Sequence, residues 1–405
     1  MTDPSFQAVP AFPPAPDKRS VAGQERQAIL PVEGSPATSV MPAAQPFGKK
    51  ILIGMERTGK PGWPALAMHT AAKAAGADFF YFTPEDVNLK ERNIFGWQYR
   101  DGKWERALSP FPDVIDNGEN FIETEAGKAL LSELPYTFQR LGGKGKVYRF
   151  LSSQKEIQKY IIPYSIVDTV ESFTSFVNMH KCIVMKPIRG SQGKGLFSIT
   201  LQNNEIFSVV YDDKVIQMNR DDVVELLIKK HIKRYIMQRY VKSKTQNEMP
   251  FDIRIHVCRG RNALWNIAKI YTRIGMNKKL TSNIAGGGGI SDTSAFLQYH
   301  MGGRKWRKVY DEINDMGLII PEYLQKFYPQ LINALGIDVG IDADGKPYLF
   351  EVNGGPGSKF LYLEHALLAA EFAIYLARKA QCATREAIIQ STKELPQCHL
   401  PLRNP

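Results

Sequence analysis

The chain is poor in cysteine, with four among its 405 residues and no CxxC pair. Cys182, Cys258, Cys382 and Cys398 stand far apart along the sequence. This spacing is typical of reduced, buried thiols, and such thiols fit a cytoplasmic location.

Long hydrophobic segments are also absent. No apolar run reaches the roughly 18 residues that cross a bilayer, although hydrophobic residues make up 43 % of the chain. The N-terminal stretch MTDPSFQAVPAFPPAP lacks a basic start followed by an apolar core, so it does not resemble a secretory signal. These absences predict a globular protein without a membrane partner.

Negative charge is in short supply, because 52 Lys and Arg residues outnumber 41 Asp and Glu residues and give a net charge of +11. Such an excess favours an anionic partner: a nucleotide, an acidic substrate, nucleic acid or an acidic surface. Seven of the basic residues fall within residues 229–244, where a solvated basic face is the plainer interpretation. Nucleic acid is disfavoured, because no named nucleic-acid-binding motif is present.

A chain of this length is expected to form two or three domains. Residues 1–47 are rich in Pro, Ala, Ser and Gln and predict a disordered tail. Residues 48–140 predict a small α/β domain with a buried strand at 51–55, a helix over 64–76 and a strand at 78–82. The same domain is expected to hold a hairpin over 96–105 that turns at Asp101-Gly102, a strand edge at 112–117 and a helix from about 123 to 134.

A glycine-rich patch at 141–146 marks the next boundary. We expect two α+β subdomains, over 141–242 and 243–385, and a C-terminal tail over 386–405. The predicted strands cover 183–186, 195–199, 236–241, 252–258 and 264–273. The predicted helices cover 220–230, about 321–335 and about 361–380.

The segment 336–353 predicts two strands joined by an Asp-Gly turn. Glu351 and Asn353 are two residues apart and therefore share one face of the second strand. Asp338 can lie beside Glu351 across the hairpin, and two carboxylates with an amide oxygen suit Mg²⁺. The opposite face, expected to be core, carries Tyr348, Phe350 and Val352.

The stretch Lys186–Gly195 places a lysine at a strand end and a glycine-rich loop after it. It is not the Walker loop, which needs GxxxxGK[ST] and a following helix. Its glycines allow backbone N–H groups to approach phosphate oxygens, and Lys186 supplies a positive charge. A plain glycine-rich hairpin is the alternative.

Alternation along residues 252–257 places Asp252, Arg254 and His256 on one face of a strand. The next strand presents Lys269, Tyr271 and Arg273 in the same way. Arginines beside a phosphate site can stabilise charge on a transferred phosphoryl group. A solvated face with cross-strand charge pairs is the common alternative, and His256 alone does not indicate a catalyst.

Two weaker signals accompany these motifs. The strand end at 236–241 could pair with a nucleotide base, with Gln238 near the exocyclic amine. The glycine-rich segment 281–289 is either a flexible linker or a loop that covers the γ-phosphate, with Asn283 offering its side-chain amide.

The order of these motifs resembles the ATP-grasp superfamily over roughly residues 146–360. Within it the chain most resembles the YheC/YheD family, described as endospore coat-associated. The hairpin at 96–105, the segment 112–115 and the ending Glu351-Val352-Asn353-Gly354-Gly355-Pro356-Gly357 carry this finer resemblance. The resemblance implies an α/β (α+β) protein with the ATP-grasp fold, in which two α+β subdomains clasp ATP behind a small Rossmann-like pre-ATP-grasp domain.

The resemblance also implies ATP and Mg²⁺, with Mn²⁺ as a substitute, as cofactors. Asp338 and Glu351 would hold the metal and Asn353 would complete the site, and the family's hairpin length favours Asp338 over Asp342. Arg254 would face the transferred phosphoryl group. Arg273 and Asn283 would assist Arg254 there. The implied ATP contacts are Lys146, Lys186, Gly190, Ser191, Gly193, Gly195, Gln238 and Tyr240.

ATP-grasp ligases phosphorylate a carboxylate to an acylphosphate, and an amine or another nucleophile then displaces phosphate. The resemblance therefore predicts an ATP-dependent carboxylate–amine or carboxylate–thiol ligase. Two alternatives stay open: a nucleotide-binding structural component of a spore coat with little turnover, and a small-molecule kinase on the same fold. The sequence leaves the oligomeric state open.

Overall fold

A computed structural model describes residues 49–166, 169–188, 195–203, 205–211, 214–229, 235–275 and 288–393, without the side chains of Lys144 and residues 385–393. The predicted N-terminal tail lies outside the described residues. So do four predicted site residues: Gly190, Ser191, Gly193 and Asn283. Among the described residues, no helix is both long enough and apolar enough to cross a bilayer.

The first sheet combines a parallel centre with an antiparallel edge. Its strands are β1 (Leu52–Glu56), β2 (Asp78–Phe82), β3 (Val87–Asn88), β4 (Asn93–Arg100), β5 (Lys103–Pro110) and β6 (Val114–Asp116), with helices α1 (Trp63–Ala74) and α2 (Glu125–Glu133). β1 pairs in parallel with β2 and with β6, which confirms the predicted β-α-β start. β4 and β5 form the predicted hairpin, whose turn residues Asp101 and Gly102 have φ of 48° and 81°, as a type I′ turn requires.

The second sheet is antiparallel, in the order β11-β10-β9-β8-β12-β7. Its strands are β7 (Tyr164–Ile166), β8 (Cys182–Pro187), β9 (Phe197–Leu201), β10 (Ile206–Tyr211), β11 (Lys214–Asn219) and β12 (Tyr235–Arg239). Helix α3 (Lys144–Ser152) precedes it, and α4 (Val170–His180) and α5 (Arg220–Lys229) pack on it. The buried residues of α4, α5 and the strands form one apolar core.

The third sheet is also antiparallel, in the order β15-β14-β13-β16-β17. Its elements are β13 (Phe251–Arg259), β14 (Trp265–Ile274), β15 (Gly289–Asp292), β16 (Ala334–Ile341), β17 (Pro347–Gly354), α6 (Thr293–Met301), α7 (Lys305–Gln325) and α8 (Tyr362–Lys393). The isoleucines of β13 pack with α7 in the largest core. Helix α8 contributes small side chains to a second core shared with α1 and the first sheet, and it also contacts β13.

The predicted helix over about 321–335 is wrong. Helix α7 ends at Gln325, and residues 334–341 form β16 instead. Val309, Ile313, Met316 and Ile320 are buried at spacings of three or four residues, so their amphipathic stripe sets the position of the helix. Pro321 lies inside that stripe near the end of α7 rather than at the start of a helix.

Candidate active site

The hairpin β16–β17 brings the predicted metal ligands to one place. Asp338 lies directly opposite Glu351, and Gly336 lies opposite Asn353. The Nδ2 group of Asn353 donates to Oδ2 of Asp338 at 3.3 Å. Asp342 takes a different role, because its Oδ1 accepts from the backbone N–H of Lys346 at 2.9 Å in the hairpin turn.

The predicted core face of β17 is wrong in part. The register of the hairpin shifts between Asp338 and Val339, so that Glu351 and Leu349 face consecutive residues of β16 and Phe350 is the extra residue of a bulge. Leu349 and Val352 lie in the main core. Tyr348 and Phe350 instead join a separate cluster with Ile162 and Val241.

Gly340 gives the bulged residue its space. A Cβ atom built on Gly340 would lie 1.9 Å from Cζ of Phe350, so no larger residue fits there without moving the ring. The bulge therefore interrupts the strict alternation that the sequence predicts, because one residue is inserted between two that keep their faces.

The polar face of β13 agrees with the predicted alternation. Ile253, Ile255 and Val257 are fully buried in the main core, while Asp252 and Arg254 project from the other face. Arg254 lies opposite Asp338 on β16, and Asp252 lies opposite Arg273 on β14. Cross-strand charge pairs are thus present, but they are buried rather than solvated.

The four side chains form one ion-pair network. Arg273 donates to Asp252 through Nε at 2.7 Å and through Nη2 at 2.5 Å, and the same Nη2 lies 3.0 Å from Oδ1 of Asp338. Arg254 donates to both carboxylate oxygens of Asp338, with an Nη2–Oδ2 distance of 3.1 Å. The side chains are only 9–12 % exposed, so this is a desolvated network in which each guanidinium has a carboxylate partner.

The network fixes the charge of Asp338. Burial by itself raises the pKa of this carboxyl group, but Arg254 and Arg273 outweigh burial and hold the pKa below its usual value. Asp338 is therefore ionised at neutral pH. The pKa values of Arg254 and Arg273 are raised because the attraction of Asp338 outweighs the effect of burial, so both guanidiniums stay charged.

Gly336 makes room for one of these guanidiniums. A Cβ atom on Gly336 would lie 2.9 Å from Nη1 of Arg254 and 3.0 Å from Cβ of Pro356. The sequence analysis did not identify Gly336. The one pattern that could have indicated it is its position two residues before Asp338, on the same face of the strand. Asp252 was recognised on the strand face but without a role.

The second sheet brings its predicted phosphate lysine to the same hairpin. The Nζ atom of Lys186, near the end of β8, lies 5.5 Å from the centre of the Phe350 ring. Phe350 directly precedes Glu351. Lys186 therefore reaches strand β17 beside Glu351, which lies opposite Asp338 of the ion-pair network.

Gln238 lies on β12, the strand that pairs with β8. The residue is 3 % exposed, and its Oε1 atom has no hydrogen-bond partner among the described residues. A buried acceptor without a partner costs free energy unless a ligand supplies a donor. The arrangement suits the exocyclic amine of a nucleotide base.

The family model described as "YheC/D like ATP-grasp" matches residues 133–375, more than half of the chain. The chain belongs to this family. The Endospore coat-associated protein YheD of Bacillus subtilis (strain 168) is 22 % identical over 334 residues, which cover 77 % of this chain and 73 % of that protein. The Endospore coat-associated protein YheC of the same strain is 24 % identical over 301 residues, which cover 70 % of this chain and 82 % of that protein.

Solved structures also resemble this YheC/D-like ATP-grasp chain. D-cycloserine synthetase DcsG gives a TM-score of 0.46 at 12 % identity and covers 80 % of this chain and 99 % of its own. The family model, which matches residues 133–375, confirms the predicted fold class at the level of the ATP-grasp family.

The remaining predicted ATP contacts fall at different places. Gly195 has a φ of +72°, and a Cβ atom there would lie 3.2 Å from Cγ of Pro187, so this position of the ATP-grasp chain requires glycine. Tyr240 follows β12, and burial raises its pKa to about 12. Lys146 is exposed on α3 with its Nζ atom 4.9 Å from the centre of the Phe327 ring, and its contact with ATP stays a prediction.

The residues present fit both groups that an ATP-grasp protein implies. Asp338, Glu351 and Asn353 offer only oxygen ligands, which suit Mg²⁺ or Mn²⁺ rather than a softer metal. The partnerless Oε1 of Gln238 suits a base amine. The oxygens of Asp338 already accept from Arg254 and Arg273, so a cation would share this carboxylate with the guanidiniums.

Proposed function

We propose that this chain is an ATP- and Mg²⁺-dependent ligase that joins a carboxylate to an amine through an acylphosphate. One observation carries the proposal: the Nζ atom of the phosphate-binding candidate Lys186 contacts Phe350, next to Glu351, and Glu351 lies opposite Asp338, which pairs with both arginines. Membership of an ATP-grasp family supports the same reaction class.

The residues have distinct roles in this proposal. Lys186 and the glycine-rich loop after it hold the phosphates, and Gln238 accepts from the base amine. Asp338, Glu351 and Asn353 hold Mg²⁺, which when bound neutralises phosphate charge. Arg254, with Arg273 behind it, stabilises charge on the transferred phosphoryl group. Asn283, outside the described residues, is predicted to approach the same group.

Charge balance favours joint binding of cation and nucleotide. The positive groups Lys186, Arg254 and Arg273 accompany the acidic residues Asp338 and Glu351, while burial raises the pKa of Asp252. A divalent cation alone would leave these residues with excess positive charge, whereas ATP brings the negative charge that offsets it. Mg²⁺ characteristically shares its shell between a few carboxylates and substrate phosphates.

The test measures ADP release from Mg²⁺-ATP with pools of small carboxylic acids and amines, for the full chain and for Lys186→Ala. A ligase releases ADP only when an acid and an amine are both present, and Lys186→Ala abolishes release. Lys181→Ala is the matched control, because Lys181 is exposed on the turn before the same strand, and we expect it to keep full activity.

The products separate the proposal from its two alternatives. Release with an acid alone and a stable phosphorylated product would indicate a kinase. Tight ATP binding without release from any pool would favour a structural, nucleotide-binding role, which the names of the endospore coat-associated Bacillus subtilis relatives suggest. Either result would overturn the ligase proposal.

A further inference from the structure

A second cluster of chemically active side chains lies beyond Arg254 on β13. His256 and Cys258 are fully buried, and His365 approaches them from the first turn of α8. Nδ1 of His365 lies 3.1 Å from Nε2 of His256 and 3.3 Å from Sγ of Cys258. The three ligand-type atoms lie within 4.8 Å of one another.

Hydrogen bonds alone leave this cluster unsatisfied. Nδ1 of His365 carries either a proton or a lone pair, so it makes one good hydrogen bond, with Nε2 or with Sγ, but not with both. Nδ1 of His256 is buried and has no hydrogen-bond partner among the described residues. Every tautomer therefore leaves Nδ1 of His256 and at least one of the three facing atoms without a partner. Buried polar groups in this state are costly.

We propose that His256, Cys258 and His365 form a binding site for a zinc-class divalent cation. Two imidazoles and one thiolate are nitrogen and sulfur ligands of the kind zinc takes. Zinc–nitrogen bonds of about 2.0 Å and zinc–sulfur bonds of about 2.3 Å place tetrahedral ligand atoms roughly 3.3–3.6 Å apart. The observed separations of 3.1 and 3.3 Å from Nδ1 of His365 need a slight outward movement to reach that geometry. The third separation, between Nε2 of His256 and Sγ of Cys258, is within 4.8 Å.

The cation satisfies the facing atoms together. It takes the lone pairs of Nε2 of His256 and Nδ1 of His365, and Cys258 binds as the thiolate after losing its proton to water. Burial lowers the pKa of His256 to about 2 and also lowers that of His365, so both imidazoles are neutral and can bind at pH 7.

The fourth position of the site has room for a water ligand. A small cavity is lined by Cys258 and His365 and also by Asp116 and Thr137. Asp116 is held in place by Thr137 at 2.8 Å and by Arg57 at 2.9 Å. A carboxylate beyond a metal-bound histidine typically orients the imidazole, and Asp116 lines the same cavity as His365.

The site differs in chemistry and purpose from the oxygen site of the hairpin. It joins β13 of the third sheet to α8, and α8 also packs against α1 and the first sheet. A cation here would hold the helix to the strand and so stabilise the contact between the two sheets. This role does not depend on the proposed ligase activity.

The experiment titrates zinc into metal-stripped full-length protein in excess Mg²⁺, which occupies oxygen sites. We expect one zinc per chain for the unchanged protein, and binding roughly 100-fold weaker for Cys258→Ala and for His365→Ala. Cys382→Ala and His180→Ala are the matched controls. Cys382 is an exposed thiol on the same helix, and His180 lies at the end of α4, so neither should change zinc binding.

Two further readouts keep the proposal testable if a variant is less stable. Cobalt should give a thiolate charge-transfer band with the unchanged protein and with Cys382→Ala but not with Cys258→Ala. Zinc should raise the melting temperature of the unchanged protein and not that of Cys258→Ala. Zinc binding that survives in both ligand variants, or the absence of a thiolate band, would overturn the site and indicate a hydrogen-bonded trio.

Discussion

The two halves of the polar face of β13 bury polar groups in opposite ways. At one end, Arg254 pairs with Asp338 and Asp252 pairs with Arg273, each on a neighbouring strand. At the other end, His256 and Cys258 are held uncharged by burial, and their hydrogen bonds are incomplete. Arg254 and His256, where the two halves meet, are two residues apart along the strand.

The difference shows what each half needs from its surroundings. A buried charge is tolerated when partners of opposite charge offset the cost of desolvation. A neutral imidazole avoids that cost because it takes up no proton. Each of its ring nitrogens still requires a hydrogen-bond partner. The first half is paired within the chain, whereas in our proposal a bound cation satisfies the three facing atoms of the second half.

Removal of Asp338 should break the charged half and give the largest effect. Asp338→Asn leaves Arg254 buried without a carboxylate, so we expect unfolding to become easier by about 3–5 kcal/mol and turnover to be lost. Denaturant unfolding and ADP release measure the two effects. Asp78→Asn, which breaks an ion pair with Lys73 at an exposed site, should cost less than about 1 kcal/mol, and equal losses would contradict the comparison.

Low pH should destabilise the folded protein through the neutral half of this face, which carries His256. Burial first, then His365 and Arg254, lower the pKa of His256 from 6.5 to about 2. Below pH 6.5 the unfolded chain protonates this histidine and the folded chain does not, so stability is lost as pH falls toward 2. The loss reaches about 1.4 kcal/mol per pH unit.

Unfolding free energies between pH 7 and pH 5, in a chelator, test this expectation. His256→Gln removes the titrating group, so it should reduce the slope of unfolding free energy against pH by the contribution of His256. Parallel pH profiles for the unchanged protein and the variant would show that His256 does not resist protonation.

A methyl group at Gly336 should loosen the charged half without removing any charge. The Cβ atom of Gly336→Ala would displace the Arg254 guanidinium from its place against Asp338, at a cost of about 1–3 kcal/mol and with a fall in kcat. Gly62→Ala is the control, because the nearest atom to a Cβ there lies 3.9 Å away. If both variants keep full activity, the position of Arg254 does not matter for turnover.

Gln238 extends the comparison to the second sheet and should give the smallest effect on stability. Gln238→Met removes a buried acceptor that has no partner among the described residues but also the hydrogen bond between the Gln238 side chain and Tyr148, so the two effects of about 1 kcal/mol each should nearly offset in the ligand-free protein while ATP binds more weakly. Thermal unfolding and calorimetric titration measure the two quantities. Gln217→Met on the exposed strand β11 should change neither, and a loss of stability with unchanged ATP binding would refute the role of Gln238.

The sequence by itself determined the features that depend on neighbours along the chain. Alternation predicted which residues of β13 face the core, because a strand with one buried face repeats every two residues. Turn chemistry predicted the Asp101-Gly102 hairpin, because two consecutive residues with positive φ favour Asp-Gly. The order of motifs indicated the ATP-grasp family, and the family model bears this out.

Only the tertiary structure decided the contacts between distant parts of the chain. Arg254 and Asp338 are 84 residues apart, and His256 and His365 are 109 residues apart; no local pattern encodes either pairing. The bulge at Phe350 depends on the space above Gly340, and Pro321 stays helical because the buried stripe of α7 fixes the helix around it. Local periodicity reports which face is buried, whereas packing decides which side chain lies against it.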